Sequence, residues 1–256
     1  MNKRRNWTRE EEIIVFNLYC KISFKNSSKN HPDVIKIANI INRSPSSVNM
    51  KIGNFGSFDD NLKSKGIVGL SNASKLDKEI WDEFNGNWDA LSYESEQLIS
   101  AYSSNEVSET ESVEGIPQGA ERTVTIKQRV NQNFFRKSVL ASYNHSCCIT
   151  GLANDELLIA SHIKPWKDSD ENEKTNPSNG VCLNALHDKA FDRGLITIDK
   201  NKIVHISNDI TDIFGGETVD KYFKEYNGKQ IILPDKFLPD EKFLEYHNDV
   251  IFESWR

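Results

Sequence analysis

The apolar positions of the first fifty residues recur at helical spacing. Residues 7–22, WTREEEIIVFNLYCKI, set Ile13, Ile14, Phe16, Leu18 and Ile22 on a stripe behind a Thr8-x-x-Glu11 capping box. A second helix is predicted over 32–42, with Pro32 in its first turn and Val34, Ile35, Ile37, Ala38 and Ile41 apolar. The third opens in NRSPSSVNMKIGNF (42–55). Ser44 caps it, Pro45 takes the first helical position, and Val48, Ile52 and Phe55 turn inward, leaving Ser46, Ser47, Asn49 and Lys51 outward. Residues 58–102 predict a Gly-rich turn and an amphipathic helix.

The pattern then lapses. SSNEVSETESVEGIPQGAER (103–122) has almost no large apolar residue and reads as an acidic flexible linker between a module at 1–102 and another at 123–256. A basic amphipathic helix is expected over about 125–143, and after it the periodicity changes. In LLIASHIKPW (157–166) an apolar strand runs up to His162 and is turned by Lys164-Pro165-Trp166. Asn176 to Gly180 forms a turn, VCL a short strand, and ALHDKAF a short helix ending near Asp192 and Gly194. A lone histidine at a strand end is ordinarily a satisfied core residue. Here Asn179 follows at the start of the next strand and His187 lies in the helix, so a strand–loop–strand–helix hairpin should gather all three.

Composition and charge narrow the classes. The 256 residues suit one large or two ordinary domains. No apolar run approaches 18 residues, and the basic start MNKRRNWTREEE lacks an apolar stretch, so neither a membrane anchor nor a signal peptide is expected and the location should be cytoplasmic. Cys20, Cys147, Cys148 and Cys182 do not make a disulfide framework and should be free thiols. The net charge of −6 argues against a nucleic-acid partner, but its distribution argues for one. Residues 1–58 carry ten Lys/Arg against four acids, and residues 122–154 five against none.

Two resemblances follow from these motifs. The Trp-Thr-x-Glu-Glu opening and the Arg-Ser-Pro-Ser-Ser-Val start of the third helix resemble a Myb/SANT-like helix-turn-helix. Over about 128–208 the chain resembles the ββα-metal, or HNH, nucleases. Cys148, Thr150 and Gly151 match a Cys-x-Thr-Gly turn; Ala160 to Trp166 match a strand end; Asn179-Gly180 and then His187, Phe191, Asp192, Gly194, Leu195 and Ile196 match the rest. Members of this branch are restriction-type endonucleases, several of them modification-dependent.

The resemblance implies an α+β protein: a helical DNA-recognition module followed by an HNH nuclease domain. It implies a His general base at His162, Asn179 bracing the hairpin, and His187 holding one Mg²⁺ or Mn²⁺. Many relatives carry Asp or His where Ser161 stands; Asp192 is a candidate for that second ligand, or else a brace for the Arg193-Gly194 turn. Relatives also hold zinc on paired cysteines, whereas Cys147, Cys148 and Cys182 read here as small buried hydrophobes, so a structural zinc is not expected. His145 is a minor candidate for phosphate contact, and His31, His205 and His247 read as structural. Ser47, Asn49, Lys51, Arg129, Arg136 and Lys164 are the expected contacts to double-stranded DNA, with Arg129 and Arg136 on one face of the basic helix. A homodimer suits double-strand cleavage by one site per chain. Three alternatives stay open: a nicking or mobile-element enzyme, a defence effector with a non-DNA sensor, and an inactive DNA-binding regulator.

Overall fold

The computed structural model describes residues 5–67, 69–70, 72–104, 120–208, 210 and 216–252. Most of the expected linker, 105–119, lies outside the described residues. By packing, the chain divides into Met1–Ser138 and Val139–Arg256.

The first unit is built around α1 (Arg9–Lys21), capped by the expected Thr8/Glu11 box. The stripe expectation understated this helix, because every residue from Glu11 to Cys20 is buried. Helices α2 (Pro32–Ile40), α3 (Pro45–Gly56), α4 (Asp60–Ser64), α5 (Lys75–Phe84), α6 (Trp88–Ser104) and α7 (Ala120–Ser142) follow. Pro32 and Pro45 occupy first-turn positions, and Ser44 caps α3 through the Ser47 N–H. Phe16 and Tyr19 pack with Phe55 and Trp81 in one aromatic cluster. Asn131 donates to Asp89 at 2.5 Å and accepts from the Ser92 hydroxyl at 2.8 Å, which ties the first part of α7 to α6. By packing, the boundary between the two units falls inside α7, after Ser138.

Burial of α1 draws charges inward with it. Glu11 accepts from Arg5 and Arg43, and Glu12 accepts from Lys51 at 2.8 Å. Lys51 also contacts Asp77, the capping-box residue of α5. The expectation that Lys51 faces outward is thus overturned: it is 4% exposed. Position 51 lies three residues after Val48 and four before Phe55, on the inward stripe, and two carboxylates make its burial possible. Asn49 is half-buried, and its side-chain oxygen is buried without a hydrogen bond. Ser47 and Ser46 line an open groove of about 880 Å³ with Trp7, Arg43 and Met50.

The second unit holds two antiparallel hairpins. β1 (Leu158–His162) pairs with β2 (Gly180–Asn184), and β3 (Ile196–Ile198) with β4 (Val204–Ile206). Between β1 and β2 lies α8 (Glu171–Thr175), and α9 (Ala185–Asp192) joins β2 to β3. After β4 come α10 (Glu217–Tyr222) and α11 (Glu241–Tyr246). The core is apolar: Leu158, Ile163, Val181, Leu183, Phe191 and Ile196 are at most 2% exposed. Cys147, Cys148 and Cys182 are buried free thiols. No helix among the described residues is long and apolar enough to cross a membrane.

Candidate active site

The β1–β2 register sets the geometry. His162 stands opposite Gly180, so Asn179 lies just before the strand that pairs with the histidine. The intervening loop is closed by the Asn179 side chain, which is fully buried. Its Oδ1 accepts from the Lys164 N–H at 2.8 Å, and its Nδ2 donates to the carbonyls of Glu173 at 3.1 Å and Lys164 at 3.3 Å. The Asn179 carbonyl in turn accepts from the Ile163 N–H at 2.9 Å. One amide group thereby satisfies backbone groups on both sides of a loop that makes no strand.

That loop orients the imidazole. His162 Nε2 lies 3.0 Å from the Lys174 carbonyl oxygen, which can only accept, so Nε2 carries the proton and Nδ1 the basic lone pair. Trp166 packs edge-on against the ring at 5.5 Å. Burial lowers the His162 pKa below its ordinary value, with the Lys174 carbonyl opposing. The ring is therefore neutral at pH 7, the state a proton acceptor needs.

His162 lines an open groove of about 720 Å³ with Ser161, Asp188 and Asp192. Lys167, Lys189 and Arg193 line the same groove. Asp188 and Asp192 are one helical turn apart on α9 and so share a face. Burial raises both carboxyl pKa values; the Asp192 charge raises Asp188 further, while the Ser161 hydroxyl and Lys189 oppose. The Ser161 hydroxyl is buried without a closed hydrogen bond. Among the described residues no three His, Cys, Asp or Glu side chains gather into one metal-holding group. The Asp188–Asp192 pair nonetheless suits a hard divalent ion that keeps water and phosphate oxygens in its other positions: two oxygen donors, under mutual repulsion, face a groove.

His187 is not brought to this groove. It is 1% exposed; Nδ1 lies 2.8 Å from Asn184 Nδ2, and Nε2 lies 2.8 Å from the Tyr222 carbonyl oxygen. Phe223 and Tyr226 pack edge-on against the ring. The expectation that His187 ligates the metal meets a physical obstacle, since both ring nitrogens are engaged inside the core. Burial pushes the nearby Cys147 thiol up, but His187, Thr150 and backbone groups outweigh it and bring the pKa to about 7. His187 shares its helix face with Phe191, four residues on and fully buried, and Asp188 takes the groove position beside Asp192. Sequence reading missed Asp188, Lys189 and Arg193, though the four-residue spacing from Asp192 pointed to Asp188.

Lys164 is also engaged: its ammonium pairs with Glu173 at 2.6 Å, which raises its pKa, so it is a loop brace before it is a DNA contact. His145 pairs with Asp155 at 2.8 Å. His247, in the groove wall, is held near 4 by burial, with Nε2 against the Phe191 carbonyl and Nδ1 against the Thr197 hydroxyl. Arg129 and Arg136 are exposed on α7.

No curated protein matches the chain significantly. Residues 147–199 match the family model for the HNH endonuclease. These residues contain both strands of the first hairpin, the Asn179-closed loop and α9, and the chain accordingly carries an HNH endonuclease domain, a nuclease fold that hydrolyses phosphodiester bonds.

Proposed function

We propose that the protein is a metal-dependent DNA endonuclease of restriction type in which His162 is the general base. The reading rests on one observation: the neutral, loop-oriented imidazole shares a groove with the Asp188–Asp192 pair and with Lys167, Lys189 and Arg193. His162 Nδ1 takes a proton as a water oxygen attacks phosphorus; the phosphorus–O3′ bond breaks, and the strand end leaves as an alcohol once reprotonated from solvent. Asn179 acts by holding the His162 loop. Asp188 and Asp192 are assigned to a single Mg²⁺ or Mn²⁺, which when bound offsets charge on the transition state and the departing oxygen. His187 is reassigned to positioning α9. Lys189, Arg193 and Lys167 supply cationic contacts to the scissile phosphate.

Double-stranded DNA is the proposed substrate, with Arg129 and Arg136 meeting its backbone, and a homodimer is the proposed cutting unit. The location is proposed to be cytoplasmic. Dependence on modified bases is part of this reading for the restriction branch. A second reading, in which the N-terminal unit senses a signal other than a DNA sequence, is favoured by the burial of Lys51 and the inward oxygen of Asn49. Incubating the protein with methylated and unmethylated phage DNA, with Mg²⁺, Mn²⁺ or EDTA, tests the proposal. Cutting with either metal and none with EDTA is expected; cutting that survives EDTA overturns the metal assignment. Cleavage of one methylation state alone would identify the modification dependence.

A further inference from the structure

The N-terminal unit contains a second, smaller cavity of about 210 Å³, lined by α1, α2, α6 and α7. Lys21 of α1, Lys36 of α2 and Lys137 of α7 reach it, with Asn133 one turn before Lys137. Among the described residues none of the three lysines forms an ion pair. Asp33 and Glu96 also line the cavity, so the arrangement is three cations facing two anions at longer range. Burial brings the Lys21 ammonium to about 8, with Glu96 opposing that shift and Lys137 adding to it. Lys21 also sits 5.6 Å over the Phe134 ring, which limits how far it can turn away. Asn17 also lines the cavity; it is 1% exposed and donates to Ser95, and its side-chain oxygen is a buried acceptor that offers an anion no hydrogen bond.

Three ammonium groups from three helices repel one another, and an anion between them removes that cost. The volume is ample for one tetrahedral oxyanion, and the three ammonium groups, not the size, select an anion. We propose that this cavity binds a phosphate group, with Lys21, Lys36 and Lys137 as cationic donors and Asn133 as a neutral one. Its source is either a phosphodiester of the DNA backbone or a free phosphate ligand, and the chemistry at the site is the same for both. In either case phosphate capture by this unit lies on the α1–α2–α7 side, away from the buried Lys51. The inference is independent of the assignments made at His162.

The test uses the full-length chain in EDTA, with binding as the readout, so that a failure of the nuclease reading does not affect it. Lys36→Gln and Lys137→Gln change exposed side chains and should fold normally. Glu96→Gln removes an opposing charge. If the source is DNA, both lysine variants weaken binding to all duplex sequences alike, each lowers the slope of log K against log salt by about 1, and Glu96→Gln tightens binding. If the source is free phosphate, inorganic phosphate or pyrophosphate raises the melting temperature of the wild type but not of the lysine variants, while DNA affinity is unchanged. Wild-type DNA affinity, salt slope and phosphate response in both lysine variants would overturn the proposal. A Glu96→Gln variant that melts lower and binds neither probe more tightly would likewise show that the lysines only balance Asp33 and Glu96.

Discussion

Replacing Lys51 with alanine should destabilise the N-terminal unit rather than weaken DNA contact directly. The ammonium is 2.8 Å from Glu12 Oε1 and in contact with Asp77 Oδ1, and both carboxylates are fully buried. Removing one partner of a buried ion pair costs about 3–5 kcal/mol, because the remaining charge is left without compensation. Asp77 keeps the Ser74 N–H and the Asn54 amide, but Glu12 loses the cation that it accepts from. At roughly 4 °C per kcal/mol for a unit of this size, the melting midpoint should fall by about 12–20 °C.

The loss should also depend on pH. Glu12 is held near 7 by burial, with Lys51 opposing, against an ordinary value of 4.5. A raised carboxyl takes up a proton on folding, so its contribution to stability falls as pH rises from about 4.5 to about 7 and is level above that. Without Lys51 the window extends upward, and the variant should lose more at pH 8 than at pH 6. Glu12→Gln should remove most of this pH dependence. Calorimetry at both pH values, beside a duplex-binding titration at low salt, measures the effect. A Lys51→Ala protein with an unchanged midpoint and uniformly weaker DNA binding would refute the buried-network account.

Further outcomes are expected in the second unit. Asn179→Ala should strand the Lys164 N–H and the Glu173 carbonyl, at about 1–3 kcal/mol each, and lower the cleavage rate more than the melting temperature; thermal scans beside a nicking assay separate the two. Asp188→Asn should raise the Mg²⁺ concentration needed for half-maximal cleavage and abolish metal-induced thermal stabilisation, whereas His187→Gln should lower the melting temperature and leave that concentration unchanged. The reverse outcome would restore His187 as the ligand. Because burial depresses the His162 pKa, cleavage should rise with pH and level off at lower pH than an ordinary imidazole would give; a rate still climbing steeply above pH 7.5 would argue against a depressed imidazole as the base.

Local signals carried much of the architecture. Thr8 with Glu11, and Ser44 with Pro45, marked helix starts that the fold uses, and the apolar run into His162 followed by Asn179-Gly180 marked the first hairpin. Lys51 was misread because its partners, Glu12 and Asp77, are 39 and 26 residues away, and no local pattern reveals an ion pair at that range. The HNH resemblance implies His187 as the metal ligand, although Phe191 on its own face marks that side of α9 as core. Asp188 was passed over beside a histidine, yet its spacing from Asp192 placed it with the groove. The small α4 and the split of α7 between units depend on tertiary packing, which periodicity does not encode.

The most direct test of the active-site assignment is plasmid cleavage by His162→Ala in Mg²⁺, at matched protein concentration and with the melting temperature as a folding control. The account predicts a folded protein whose cleavage rate is about 10²–10⁴-fold below wild type, because the general-base step is lost. A folded His162→Ala protein that cuts at the wild-type rate would contradict it and move the chemistry out of this groove.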